Sequence, residues 1–498
     1  MKLNSKIICS LVLSGSLMAA ETALEQGVSS PFTWSVSDHA LATSEKDPGD
    51  PEAPAINTLN HQTTLGSGWG NLSAQLAFSN RISQASDPVL NRPIILDKKT
   101  VAGDWENWEV RLGDSHQEFG RGIALALFNN PAFGVDNTLE GASVQFRSET
   151  LSVLGLAGRV NALQAPVAIN PVDSLMTNRE VRIAGGAITA SPFSNFQVTG
   201  RFHTTESQPD GKAVNKKYNT YGVGLESRDV LPGLDAYAET NWMDWEAATS
   251  SKGFKKKPRG YASFAALTYS DLAFKTKLEA KDYRQFVYDF QRPPTLEEEI
   301  VLATNNSDVS AARWSVEGRF GEERASSLGA SYLRGEDREL KTSIHHPLVF
   351  SKVKWGPGFE MEARGGYRWM PEKNNLAHGS LKGKIKTAKG QYVEIELRKQ
   401  LLNQAILTPI PIREERNAVL TTYTFSESFN LGFGYEYMPT NIPELGNHFV
   451  NGSATYKTGM LTARGFVGQT SGGTQCASGV CRQVPPYTGA YLETQLAF

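Results

Sequence analysis

Cysteine and histidine are the side chains in this sequence with the widest chemical reach, and their spacing limits what they can do. Cys476 and Cys481 stand in the run Thr474-Gln475-Cys476-Ala477-Ser478-Gly479-Val480-Cys481, which suits a small disulfide ring in an oxidising compartment. A zinc centre normally recruits four ligands, and no further Cys or His lies nearby. The adjacent histidines His345-His346 precede Pro347. Neighbouring side chains on an extended segment diverge, so this pair is not expected to share a metal. His378-Gly379-Ser380 sets a base beside a hydroxyl along the chain, which does not bring one onto the other in space. Gly120-Arg121-Gly122 lacks the third glycine and the following helix of a nucleotide loop. With no Gly-x-Ser-x-Gly elbow and no phosphate loop, the chain reads as a non-enzyme with no cofactor.

The amino terminus carries an address. Lys2 and Lys6 form a basic start, Ile7 to Met18 a mostly apolar middle, and Ala19 and Ala20 a small-residue cleavage site, the pattern of a secretory signal over residues 1–20. Ser10, Ser14, Gly15 and Ser16 interrupt a run already too short for the roughly 20 apolar residues of a membrane helix. Cys9 sits ahead of most of that run, which argues against a lipid anchor. Lys plus Arg number 50 and Asp plus Glu 52; without Lys2 and Lys6 the balance is 48 against 52, or minus four. No basic excess points to nucleic acid.

The elements that must position these residues alternate with period two. From about residue 138 onward, short segments of alternating polarity end at Gly, Pro, Asn, Ser or Asp. Phe429, Leu431, Phe433, Tyr435 and Tyr437 share one face against Asn430, Gly432, Gly434 and Glu436. Leu272, Phe274, Leu278 and Ala280 oppose Lys275, Lys277, Glu279 and Lys281, while Trp314, Val316 and Phe320 oppose Arg313, Glu317 and Arg319. Phe359, Met361, Ala363, Tyr367 and Trp369 oppose Glu360, Glu362, Arg364 and Arg368. Val393, Ile395 and Leu397 oppose Glu394, Glu396 and Arg398.

Each such segment is a strand with one apolar and one charged face. A soluble sandwich would bury the apolar faces in a core, and 498 residues would normally split into several domains, yet no linker appears after residue 106. On the lipid face of a membrane barrel, a Lys or Arg near the midplane costs roughly 2 to 4 kcal/mol. The charged faces, with Glu436 and Glu493, are therefore expected to line a hydrated lumen. Open sheet edges cannot sit in hydrocarbon, so the sheet must close.

Tight links near Ser148-Glu149, Leu231-Pro232-Gly233, Gly356-Pro357-Gly358 and Ser426-Glu427-Ser428 alternate with longer polar stretches such as 286–308 and 402–415. Short periplasmic turns and long extracellular loops have this rhythm. The expected fold is all-β: a transmembrane antiparallel up-and-down β-barrel of about 20–24 strands. It should occupy residues 56–498, after a mostly irregular periplasmic lead-in over 21–55 with room for one strand near Phe32 to Val36. Lys252-Gly253-Phe254-Lys255-Lys256-Lys257-Pro258-Arg259 reads as a solvated loop, with lipopolysaccharide phosphates as an alternative partner. Thr295 to Leu302 has the look of a helix start and would either narrow the lumen or stay outside it.

The last segment, Tyr487 to Phe498, sets Ala490, Leu492, Leu496 and Phe498 against Tyr491, Glu493 and Gln495. It resembles the terminal strand of outer-membrane proteins, and the resemblance implies that Phe498 is an assembly signal read by the barrel-assembly machinery. From Val110 to Arg159 the succession Gly113-Asp114, Phe119-Gly120-Arg121-Gly122 and Gly141-Ala142 is similar to a group of bacterial envelope barrels of unknown function. So is the closing element Gly472-Gly473, Cys476, Gly479-Val480-Cys481-Arg482. That likeness implies an outer-membrane barrel and no established activity. Within it, Asp114 and Arg121 are candidates to pair at a turn or inside the lumen.

The mixed charges facing inward favour a porin-like channel for small hydrophilic solutes in the bacterial outer membrane, in contact with lipid and lipopolysaccharide. The alternative is a structural or anchoring barrel of a multiprotein envelope complex for secretion, motility or assembly.

Overall fold

The computed structural model describes residues 32–46, 55–83, 92–130, 135–163, 178–208, 216–249, 253–256, 260–286, 294, 296, 308–338, 341–371, 374–388, 390–404, 412–439, 447–471, 473–477, 480–484 and 487–497. Twenty-four of its strands form one wall. The first half comprises β1 (Phe32–Lys46), β2 (Ile56–Trp69), β3 (Leu72–Ser83), β4 (Arg92–Trp105), β5 (Trp108–Ser115), β6 (Leu139–Arg147), β7 (Leu151–Leu163), β8 (Asn178–Phe193), β9 (Phe196–Gln208), β10 (Lys216–Leu231), β11 (Leu234–Thr249) and β12 (Gly260–Ser270). The second comprises β13 (Phe274–Arg284), β14 (Val309–Phe320), β15 (Ser326–Asp337), β16 (Thr342–Trp355), β17 (Phe359–Met370), β18 (Asn374–Ala388), β19 (Gln391–Gln404), β20 (Ile412–Ser426), β21 (Phe429–Tyr437), β22 (His448–Thr458), β23 (Leu461–Thr470) and β24 (Tyr487–Ala497).

Each wall strand pairs antiparallel with its sequence neighbours, and β24 returns to pair with β1 from Ser37 opposite Ala497 to Lys46 opposite Thr488. Closure leaves the wall without an edge, as hydrocarbon requires. The tight links all fall at one end, where Gly233 takes a φ of +78° that a side chain would resist. The amino end of β1 lies at that same end, opposite Trp69. The barrel begins earlier than its sequence suggests: β1, inside the expected lead-in, is a full wall strand and starts at residue 32 rather than 56.

Cross-strand partners carry one face continuously round the wall. Arg201 stands opposite Gly222, Gly222 opposite Asn241 and Asn241 opposite Ala262, all turned inward. The other face carries exposed large apolar side chains, among them Leu278, Trp314, Val349, Leu381 and Ile385. Exposed tryptophans 69, 105, 108 and 355 gather at the tight-turn end, the place of an interfacial girdle.

Candidate functional site: a half-filled lumen

Strands β5 and β6 have only 8 and 9 residues, against 13 and 16 in β7 and β8. The chain leaves the wall at Ser115, folds into the barrel over 116–130 and 135–138, and rejoins at Leu139. Within this finger Gln117–Phe119 pairs with Leu125–Leu127, and Asn129–Asn130 with Val135–Asp136. Ile123, Ala124 and Leu125 are fully buried. They join Phe119 and Leu127 in one apolar cluster with wall residues Leu156, Ile183, Met243, Phe264, Val309, Leu333 and Ile344. Leu296, from the segment after β13, packs into the same cluster, and its carbonyl accepts from Arg313 Nη1 at 3.2 Å. That segment therefore enters the lumen at this point; the rest of the expected Thr295–Leu302 helix lies outside the described residues.

The tip of the finger is latched to the wall. Arg201 on β9 and Glu239 on β11 form an ion pair whose side chains are 2% and 0% exposed. Glu239 also accepts from the Arg121 backbone N–H at 3.4 Å. Gly120 is required here, because its φ is +66° and a Cβ would lie 1.9 Å from the Arg201 guanidinium. The Arg121 guanidinium lies 4.0 Å over the Tyr237 ring, a cation–π contact, so it does not take Asp114 as partner. Asp114 instead accepts from the Lys99 backbone N–H at 2.6 Å. The finger's base is held by Asp136, which accepts from Lys98 Nζ at 2.6 Å. A cavity of about 330 Å³ remains beneath the tip, lined by residues including Arg121, Gln145, Thr199, Glu226 and Tyr237.

Beyond the finger the inward faces are polar and wet. Lys352 Nζ lies 2.7 Å from Glu360 and 2.9 Å from Glu362, and Lys382 Nζ lies 3.0 Å from Glu394. β16 presents lysines, β17 glutamates, β18 lysines again and β19 glutamates, so opposite charges adjoin at nearly every step. Arg398 pairs with Glu396 at 2.5 Å along its own strand. Glu493 takes His39 at 2.9 Å and Arg464 at 3.3 Å across the closing seam. Glu436 accepts from the Ser471 hydroxyl and backbone N–H.

All the charged residues singled out on β13, β14, β17, β19, β21 and β24 fall on the inward face, but not all meet water. Glu279, Lys281 and Arg368 are buried, with Glu279 bonded to Lys277 at 2.7 Å and to Arg313 at 2.6 Å. Lys275 stands opposite Glu317, while Arg319 lies 3.6 Å from Glu317. Arg364 stands opposite Ser380. A hydrated surrounding was expected for all of them; Glu279 is instead covered where its partner Arg313 meets the inserted Leu296 carbonyl.

His345 and His346 diverge as an extended chain requires. His345 Nδ1 bonds the Tyr332 hydroxyl at 2.9 Å on the outer face. His346 turns inward, where its Nε2 lies 2.8 Å from His378 Nε2. That pairing spans two strands and no local pattern announces it. No group of three metal-ligating side chains occurs among the described residues. Cys476 and Cys481 stand directly opposite each other in the ribbon Gly473–Ala477 with Val480–Val484. Cross-strand Cα separations of about 4.5–5.5 Å fall within the span of a disulfide. Phe498 lies outside the described residues.

A closed antiparallel wall of this size, apolar outside and charged within, defines an outer-membrane β-barrel. A family of unknown function (DUF6029) matches residues 386–498, which include the closing cysteine element and leave out 110–159. Similar solved structures include the siderophore receptor PirA from Pseudomonas aeruginosa, with 9% identity, TM-score 0.49, and 93% of this chain and 80% of that one covered. OccK5 (OpdH) from Pseudomonas aeruginosa has 10% identity, TM-score 0.41, and coverage of 82% and 98%. The outer membrane transporter YddB from Escherichia coli has 8% identity, TM-score 0.46, and coverage of 93% and 80%. No curated protein matches the chain. At TM-scores below 0.5 these likenesses add nothing to the wall's own closure.

Proposed function

We propose that this barrel passes small hydrophilic solutes through the part of its lumen that the finger leaves wet. The observation that carries the reading is the two-sign ladder on β16 to β19, where Lys352 and Glu362 keep 43% and 45% of their side-chain surface exposed. Eight strands already enclose enough space for side chains to fill, and porins of 16–18 strands leave an aqueous channel. A 24-strand wall therefore has room for both a finger and a path. Alternating lysines and glutamates present a transverse field in which Lys and Arg outnumber Glu on the inward faces of β16 to β19, which suits anionic or zwitterionic solutes better than cations. Assembly through the barrel-assembly machinery and contact with lipopolysaccharide belong to the same proposal.

Planar-bilayer recording of the purified barrel tests it. Steady conductance in the full-length protein, rising when residues 117–127 are replaced by a short Gly-Ser link, is the expected result. A barrel that stays closed in both forms would be an anchoring barrel of an envelope complex instead.

A further inference from the structure

The cavity beneath the finger tip lies at the tight-turn end of the lumen, where Ser152 and Gln197 of its lining are each the second residue of their strands. Its walls come from β6 to β11 and its roof from the finger, so it is a separate place from the β16–β19 columns. Its 330 Å³ hold about ten waters at roughly 30 Å³ each, or one small solute with part of its hydration.

The charges around this space are not all matched. Arg201 is bonded to Glu239, and Glu226 lies 3.0 Å from Arg228 at the mouth. Arg121 differs from both. Its backbone N–H is given to Glu239, but its guanidinium takes no hydrogen bond or ion pair among the described residues. The Tyr237 ring lies 4.0 Å from the guanidinium carbon and the Phe264 ring 5.6 Å from it. These rings favour the charge and fix the plane, and they leave the N–H edges of the fork to the cavity that Arg121 lines. On the wall below, the Gln197 amide takes no hydrogen bond among the described residues, and Thr199 carries a hydroxyl paired only with that of Thr189 at 2.9 Å.

We propose that this cavity binds a small organic carboxylate arriving from the periplasm. A planar guanidinium gives a carboxylate two parallel N–H···O bonds, and one already held by a ring gives up little freedom in doing so. Glu118 and Glu226 line the same space and oppose a second negative charge, so a monoanion fits better than a phosphate dianion. The solute would touch the finger through Arg121 and the wall through Gln197 and Thr199. It therefore binds the seated finger in preference to a displaced one, and by linkage it holds the finger in place.

Calorimetric titration of the full-length barrel, purified in carboxylate-free buffer, tests this with sodium propionate, its neutral isostere propionamide and inorganic phosphate. Propionate should saturate one site per barrel and bind about tenfold more tightly than either of the others. Arg121→Lys keeps the charge and the ring contact but loses the fork, and should weaken propionate by about tenfold. Propionate should also slow protease cleavage of the wild-type finger and leave that of the Arg121→Lys barrel unchanged. If the Arg121→Lys finger is itself unseated, Gln197→Ala decides the matter from the wall side, with propionate weakened and the cleavage pattern of the empty barrel kept. Equal binding of propionate and propionamide, tighter binding of phosphate, no binding at all, or wild-type affinity in whichever variant keeps its finger seated overturns the proposal. Binding is read without any current, so its failure says nothing against conduction through the wet half, and a closed wet half says nothing against this site.

Discussion

Arg201 with Glu239 and Lys352 with Glu362 are the same kind of ion pair on the same inward face, and they live in different solvents. The first is 2% and 0% exposed beneath the finger, the second 43% and 45% exposed on β16 and β17. Period-two alternation built both, since it only decides which face points inward. What fills the lumen then decides what an inward charge is worth. Around the finger, Phe264, Met243 and Leu333 face inward as well, and the charges among them serve as fasteners. On β16 to β19 the lysine and glutamate columns are partly exposed and face the lumen.

The largest effect that can break this contrast is at the latch. Glu239→Gln leaves the Arg201 guanidinium buried without its counter-charge, and breaking a buried pair in this way costs about 3–5 kcal/mol. The heat-modifiable transition should fall and bilayer conductance should rise together, because the finger tip loses its anchor. Unchanged conductance with reduced stability would show that the finger stays in place without the latch.

Gly120→Ala should follow at about 1–3 kcal/mol, from the left-handed backbone and from a Cβ placed against Arg201. Protease cleavage within 116–138 is the readout. Equal resistance in variant and wild type would mean that the tip can shift to make room.

Much of the wall could be read from the residues, and the finger could not. Strands β13, β14, β17, β19 and β21 are plain in sequence because lipid and lumen differ in polarity there. On β12, Ala262 and Phe264 face the finger's apolar cluster while Ala265 and Leu267 face lipid, so both faces are apolar and alternation fades. That fading was the available signal of a dry interior. Of β1 only a strand near Phe32 to Val36 was legible, for the opposite reason: Ser35, Ser37, Asp38 and His39 put polar groups on both faces. Nothing local marks Gly120 as indispensable, because its need for a left-handed backbone is set by Arg201 and Glu239, far away in sequence. His346 and His378 meet only through the register of β16, β17 and β18.

A smaller effect comes with acid at the base of the finger. Burial pushes the Asp136 carboxyl up, but the Lys98 ammonium and the Thr138 hydroxyl and backbone N–H outweigh it and hold the group below its ordinary value. A carboxyl depressed in the folded state stabilises that state above its unfolded pKa and loses the contribution as pH falls through the folded value. Protease access to the finger should therefore rise below the usual carboxylate range. Asp136→Asn should show raised access at neutral pH with little further change on acidification, and a profile as steep as wild type would assign the pH effect to another group.

The smallest expected effect lies in the wet half, and its smallness is the point. Lys382 and Glu394 lie 3.0 Å apart with side chains 37% and 32% exposed. Solvent-screened pairs of this kind contribute about 0–1 kcal/mol, so Lys382→Gln should leave the heat-modifiable transition nearly where it was. It should still be felt by a permeating ion, because it removes one positive charge from the β18 column and leaves the β17 and β19 glutamates less balanced. Reversal potentials under a salt gradient should shift toward cations, and the shift should fade as ionic strength rises and the Debye length shortens. A Lys382→Gln barrel that unfolds as readily as the Glu239→Gln barrel, with no change in reversal potential, would mean that this side of the lumen is as dry as the other and that the contrast between the two halves is false.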